Sequence, residues 1–184
     1  MGAGDGKENN LNRENLNSIV DELKKGNMDF FDDFYDLTKK QVFYAIISIL
    51  KDQSLTEDIM QETYLRFLDK INYYKDKTNV VAFIVTMARN LAINTYNRRQ
   101  KEIVYDIYDH DDAFQAEAKP ETPLLDLVME TLEGEELEVF MLYIVDDLKH
   151  REIAQVMKKP LGTITWLYNK ALKKMKKKVG EENE

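Results

Sequence analysis

Between Asn72 and Asn79 the chain sets two tyrosines, Tyr73 and Tyr74, beside two lysines, Lys75 and Lys77. Flat rings next to cations suit single-stranded nucleic acid, because every base has a stackable face and every nucleotide carries a phosphate. Taken by itself the loop favours a plainer reading, in which one tyrosine packs on a core and the lysines keep the loop soluble. Near the C-terminus, Lys158, Lys159, Lys170, Lys173, Lys174, Lys176, Lys177 and Lys178 occur with no acid among them. Complementing a helix dipole accounts for only the last few of these. The rest form a stripe suited to duplex phosphates, whose affinity falls steeply with salt. A third surface comprises Asp58, Gln61, Glu62, Leu65, Arg66 and Asp69, which recur at spacings of three and four. It is a polar helix face with a leucine at its centre, and pattern alone leaves open whether it is a docking face or an ordinary wet one. No carboxylate pair, nucleophile–base set, phosphate loop or metal cluster stands out. His110 and His150 stand alone and read as surface residues. The chemistry on offer is recognition, with no enzyme activity, cofactor or metal expected.

These residues must be positioned by helices. Leu55, Ile59, Thr63, Phe67 and Ile71 recur every fourth residue, with Met60, Tyr64 and Leu68 beside them, and this makes a buried stripe. Ser54 with Glu57 three residues later reads as the capping box of that helix. Upstream, Leu16, Ile19, Val20 and Leu23 share one face of a first helix that Gly26 stops. Asp29 is placed to cap a second helix carrying Phe30, Phe31, Phe34, Val42, Phe43, Ile46, Ile47 and Leu50. That aromatic stripe is core rather than ligand pocket. Downstream, residues 124–132, 135–147 and 150–157 read as three further helices. Pro160 and Gly162 then break the chain, and Thr163 is the expected N-cap of a basic helix with Ile164, Leu167, Tyr168, Ala171 and Met175 facing inward. A short helix, a glycine-containing turn and a basic helix make a helix-turn-helix.

The organisation that follows is all-α, with two small helical domains joined by an acidic linker. Residues 1–10 are expected to be disordered, 11–100 to form the first domain, 101–122 the linker, 123–179 the second domain and 180–184 a disordered tail. The linker holds Asp106, Asp109, Asp111, Asp112, Glu117 and Glu121 and is broken by Pro120 and Pro123. In 184 residues, 43% hydrophobic content suffices for globular cores. The absence of cysteine fits a reducing cytosol, and the longest apolar run, Val42 to Leu50, is too short to cross a bilayer. A cytoplasmic protein with no membrane partner is expected. The net charge of −8 argues against nucleic acid only until its uneven placement is considered.

Two stretches resemble a known family. D-I-M-Q-E-T at 58–63 followed by F-I-V-T-M-A-R-N-L-A-I-N at 83–94 is similar to region two of bacterial sigma factors of the extracytoplasmic-function (ECF) group. K-G-N-M-D-F-F-D-D-F-Y-D-L at 25–37 resembles the opening of that region. R-E-I-A-Q-V-M at 151–157 and P-L-G-T-I at 160–164 look like region four. The resemblance covers most of the chain, and its two halves stand in the family's order.

It implies that Asp58, Gln61, Glu62, Leu65 and Arg66 dock on a coiled coil of the RNA polymerase clamp. It also implies that the loop with Tyr73, Tyr74, Lys75 and Lys77, together with the helix from Asn79, opens the minus-ten promoter element. Asn90 and Asn94 then line a pocket for a flipped base, since asparagine offers both donor and acceptor to a base edge. Arg89, Arg98 and Arg99 are the implied phosphate contacts. Opening about ten base-pair steps costs roughly 14 kcal/mol, while one or two captured bases return about 1–3 kcal/mol each. A larger partner must supply the difference, and in this family it is core RNA polymerase.

The C-terminal helix departs from the family. Where ECF sequences continue G-T-V with a basic residue, serine and arginine, this chain has Thr165, Trp166 and Leu167. Thr163, Thr165, Trp166, Asn169, Lys170, Lys173 and Lys174 are the residues expected at the minus-35 element, without the arginine-to-guanine contact. The expected function is therefore an ECF-type sigma factor that binds core polymerase and both duplex and single-stranded promoter DNA, with an anti-sigma factor as a further partner of the family's kind. The alternatives are a stand-alone helix-turn-helix regulator, or a degenerate sigma-like module that occupies polymerase without initiating.

Overall fold

The computed structural model describes residues 5–75, 78–106 and 123–181, with side-chain surroundings for 15–75, 78–101 and 126–180. Helices α1 (Asp5–Lys24), α2 (Phe31–Leu50), α3 (Gln53–Lys70) and α4 (Val80–Asp106) precede the acidic stretch, and α5 (Pro123–Thr131), α6 (Gly134–Ile144), α7 (His150–Met157) and α8 (Leu161–Glu181) follow it. Among the described residues there is no strand.

Most of the expected apolar stripes are buried, but Phe30, Phe31, Phe43, Leu50 and Leu55 are only half-buried, and Phe31 and Phe43 line a groove instead of closing into the core. On α3, Ile59, Met60, Thr63, Tyr64 and Phe67 face inward. Phe67 is wholly buried, stacked on Phe34 with centroids 4.5 Å apart and edge-on to Phe83 at 6.2 Å. Burial of the Tyr64 phenol, whose oxygen lies 2.9 Å from the Thr38 hydroxyl, pushes its pKa up. The polar pair ties α2 to α3 without leaving either hydroxyl unsatisfied.

The helix ends differ from expectation in ways with local causes. Gly26, at φ +85°, closes α1 as expected, but Asp29 does not cap α2. Asn27 takes that role one turn earlier by accepting the Asp29 N–H at 3.3 Å and starting a short 3-10 turn, Met28–Phe30, that runs into α2. The α3 cap is Asp52 rather than Ser54, with its carboxylate accepting the Leu55 N–H at 3.0 Å. At α8 the helix starts at Leu161. The Pro160 carbonyl accepts the Thr163 and Ile164 N–H groups, so Thr163 lies inside the first turn. Helix α1 begins at Asp5, inside the stretch expected to be disordered, and α4 runs on to Asp106, past the composition break at Lys101. His110 and the remaining acidic residues of the 107–122 stretch lie outside the described residues, as does Lys77.

Helices from either side of that stretch pack on one another. Helix α2 contacts α1, α3, α4 and α6, and α4 contacts α7. One buried cluster runs from Leu16, Val20, Phe34 and Ile84 through Val139 and Leu142 of α6 to Ile153 of α7 and Ile164 of α8. A second forms where Tyr44 and Ile47 of α2 enter a nest of Val128, Leu132, Leu137, Phe140, Met141, Ala171 and Met175. Helix α2 therefore serves both halves. Phe67→Ala should remove about 3–5 kcal/mol of stability, read as a lower urea midpoint at unchanged slope.

Candidate nucleic-acid interface

The outer face of α3 stands clear of the core. Asp58, Gln61, Leu65, Arg66 and Asp69 are exposed, Leu65 at 69%, and Glu62 is half-buried in a 2.5 Å pair with Arg66. Beside this face lies a groove of about 990 Å³ between α2 and α3, lined by Phe31, Tyr35, Phe43, Tyr64, Leu65 and Leu68 with Lys39 and Lys40. Sequence pattern picked out the leucine but not the groove, which needs two helices to exist.

The two tyrosines of the 72–79 loop separate. Tyr73 is 79% exposed, whereas Tyr74 is buried with its ring 5.4 Å from Phe83 and its hydroxyl 2.8 Å from Asn17 Oδ1 and 2.6 Å from the Thr78 carbonyl. Tyr74 is thus a core residue in this arrangement, and Tyr73 alone offers an open ring. Lys75 is exposed. Asn79 sits at the start of α4, where its Oδ1 accepts the Ala82 N–H at 3.2 Å, and its amide donates to Glu152 Oε1 of α7 at 2.7 Å. The other Glu152 oxygen accepts the Lys149 N–H at 2.8 Å, so one carboxylate joins the start of α7 to that of α4.

Along α4 the implied DNA residues divide by face. Asn90, Asn94 and Arg98 are exposed. Arg89 turns the other way and donates from Nε to Glu138 of α6 at 2.6 Å, with both side chains 13% exposed. Burial pushes the Glu138 carboxyl up, against the opposing pull of Arg89. Arg99 pairs with Asp52 at 3.1 Å, joining α4 to the cap of α3. Glu138 and Glu152 had no sequence signal, because an acid at a helix–helix seam looks like any surface glutamate until the seam is known.

In the second half, α7 ends at Lys158 in the left-handed region (φ 53°), and the chain turns through Pro160 into α8. Ile164, Leu167, Ala171 and Met175 are buried as expected, while Trp166, Asn169 and Lys173 are exposed. Thr163 and Thr165 are half-buried, and the Thr165 hydroxyl donates back to the Leu161 carbonyl at 3.0 Å. The lysine stripe splits: Lys170 and Lys174 converge on Glu136 of α6, which is 3% exposed. Burial opposes ionisation of Glu136, but the bonds and charges of the two lysines outweigh it and hold its carboxyl below the usual carboxylate range. His150 is half-buried rather than a surface residue, its ring 5.3 Å from Tyr143 and 5.0 Å from Tyr168. Among the described residues no group of side chains could hold a metal ion.

Comparison with known proteins follows the same division. A model of Sigma-70 region 2 matches residues 34–102, and a model of Sigma-70, region 4 matches residues 124–175. Together they define a sigma-70 protein. The chain is 27% identical over 135 residues to the ECF RNA polymerase sigma factor SigM of Bacillus subtilis, covering 68% of this chain and 80% of SigM. It is 26% identical over 164 residues to the ECF RNA polymerase sigma factor BldN of Streptomyces coelicolor, covering 84% of this chain and 62% of BldN. In fold it is similar to the sigma factor RpoE of Bartonella quintana, solved with the anti-sigma factor NepR, at TM-score 0.68 and 18% identity over 83% of this chain and 98% of that one. The chain belongs to the ECF group of RNA polymerase sigma factors. As such it is a regulatory protein that works with core RNA polymerase and directs promoter-specific initiation of transcription.

One buried carboxyl has no role in these contacts. Asp146, in the turn between α6 and α7, is 6% exposed, and neither carboxylate oxygen has a hydrogen-bond partner among the described residues. Burial pushes its carboxyl well above the ordinary 3.8. The unfolded chain releases this proton near 3.8 while the folded chain keeps it, so the group's contribution to stability falls as pH rises through that window. Asp146→Asn should therefore be more stable than the parent at pH 7, with the difference closing as pH drops below 4 in paired urea titrations.

Proposed function

We propose that the two halves, residues 11–100 and 123–179, divide the work of initiation, with the acidic sequence between them as the linker. The outer face of α3, centred on Leu65 with Asp58, Gln61, Glu62 and Arg66, is the core-polymerase contact. The open face of α4 with Asn90, Asn94 and Arg98, together with Tyr73 and Lys75, takes the unpaired strand of the minus-ten element. The outer face of α8, with Trp166, Asn169 and Lys173, settles on duplex upstream. The single observation that carries this reading is the 69% exposure of Leu65 on a helix whose opposite side buries Ile59, Met60, Thr63, Tyr64 and Phe67. An apolar side chain left out of a finished core, at the centre of a polar face, is the composition of a docking surface.

Arg89 and Asn79 belong to the same promoter-facing set, and they reach DNA only when Glu138 and Glu152 have left them. Lys170 and Lys174 add charge to α8 while anchored on Glu136. The chain acts in the cytoplasm and carries no catalytic site of its own. Among the described residues no helix is long and apolar enough to cross a membrane. An anti-sigma factor is a further partner, in line with the fold neighbour solved with NepR.

Leu65→Ala should weaken association with core polymerase by about 2 kcal/mol, near thirtyfold, without changing the unfolding midpoint. Unchanged affinity in a titration of labelled chain against core polymerase removes α3 as the docking helix. For α8, Lys173→Ala should lower the slope of log affinity against log salt by about 1 on any duplex. An unaltered slope excludes that lysine as a phosphate contact.

A further inference from the structure

The outer face of α8 differs chemically from a guanine-reading helix. Helix α8 contains no arginine, the side chain that takes guanine O6 and N7 together in the major groove. Beyond Leu161 and Gly162 in the first turn, its next exposed positions are Trp166, at 60% exposure, and Asn169 three residues on. The Thr165 hydroxyl is bonded to the Leu161 carbonyl and is not offered outward. Lys170 is held from two sides, its Nζ 3.0 Å from Glu136 and 5.4 Å from the centroid of the Trp166 ring. An ammonium over one face of the indole fixes the ring and leaves its other face and edge open. A large apolar ring, exposed and braced, matches the one apolar feature of the major groove, the C5-methyl of thymine. An asparagine on the same surface matches adenine, whose N6 and N7 it takes as a pair.

We infer that α8 reads A·T pairs, with Trp166 packing on a thymine methyl and Asn169 taking adenine. This rests on the reading of α8 as the duplex-binding helix. Trp166 is a specificity residue here, and Lys170 positions it. Packing of α7 against α4 leaves this face of α8 open, so the full chain can be tested without first separating its halves.

Trp166 is the single tryptophan of the sequence, so its emission reports directly on this surface. The probes are an alternating dA·dT duplex, its dA·dU twin lacking only the methyl, an alternating dG·dC duplex, and the same duplex with 5-methylcytosine. At fixed salt the full chain should bind dA·dT about fourfold tighter than dA·dU, the value of roughly 0.8 kcal/mol for one buried methyl-sized group. The 5-methylcytosine duplex should be tighter than dG·dC by a similar factor, and tryptophan emission should shift on dA·dT. Trp166→Ala should abolish both methyl effects, while Trp166→Phe keeps part of them. Because the side chain is exposed, both variants should unfold at the parent's midpoint. Asn169→Ala should narrow the preference for dA·dT over dG·dC. Equal affinity for dA·dT and dA·dU, with emission shifted by both, overturns the thymine reading while leaving α8 on the duplex. No emission change on any duplex, with a salt slope indifferent to Lys173→Ala, overturns the assignment of α8 to DNA itself.

Discussion

Helix α2 has to be apolar on two sides, and the rest of the arrangement depends on that. Phe34, Thr38, Val42 and Ile46 are buried, the three apolar ones in the cluster that runs from α1 to α8, while Tyr44 and Ile47 enter the cluster built by α5, α6 and α8. A helix with one stripe leaves its other face to water, whereas a helix apolar most of the way round must be covered there as well. The covering elements are α3 and α4 on one side and α6 on the other. What could have been one small core per half becomes two clusters that both draw on helices from each half, and small cores gain most from such sharing because little of their surface is buried otherwise.

Charge placement follows the same seam. The overall charge of −8 conceals acids used internally as partners for the very cations that nucleic acid would seek. Glu138 holds Arg89, Glu152 holds the Asn79 amide, and Glu136 holds Lys170 and Lys174. A buried ion pair is weak support for stability, since desolvation offsets most of its attraction. It does fix geometry, because a side chain with a committed partner cannot wander. Asn90, Asn94, Arg98, Asn169 and Lys173 are the exposed members of the implied set.

Much of this was legible from periodicity. The four-residue recurrence from Leu55 to Ile71 identified which side of α3 is buried, and of the inward residues expected on α8, Ile164, Leu167, Ala171 and Met175 are buried while Tyr168 is half-buried. Caps were read less well. Ser54 and Thr163 have the right chemistry, but Asp52 and the Pro160 carbonyl stand at the true starts. Several residues near a helix end can cap it, and the choice is made by where packing lets the first turn begin. Of the neighbouring Tyr73 and Tyr74, only contact with Phe83 and Asn17 decides which is inside. The seam itself was invisible. Tyr44 reads as one more aromatic on an apolar helix, and its destination in a cluster formed beyond residue 126 is a long-range fact with no local signal.

The buried contact between Arg89 and Glu138 has a thermodynamic corollary. A carboxylate 2.6 Å from a guanidinium occupies the place a phosphate oxygen would take. Any anion approaching that arginine meets an incumbent already tethered to the same molecule, at an effective concentration no free ligand easily matches. Under the proposed role of α4, its apparent affinity for a phosphate would be its intrinsic affinity scaled by the fraction of molecules in which the glutamate has let go. Whatever draws the two halves apart raises that fraction, and so tightens the grip of a residue it never touches.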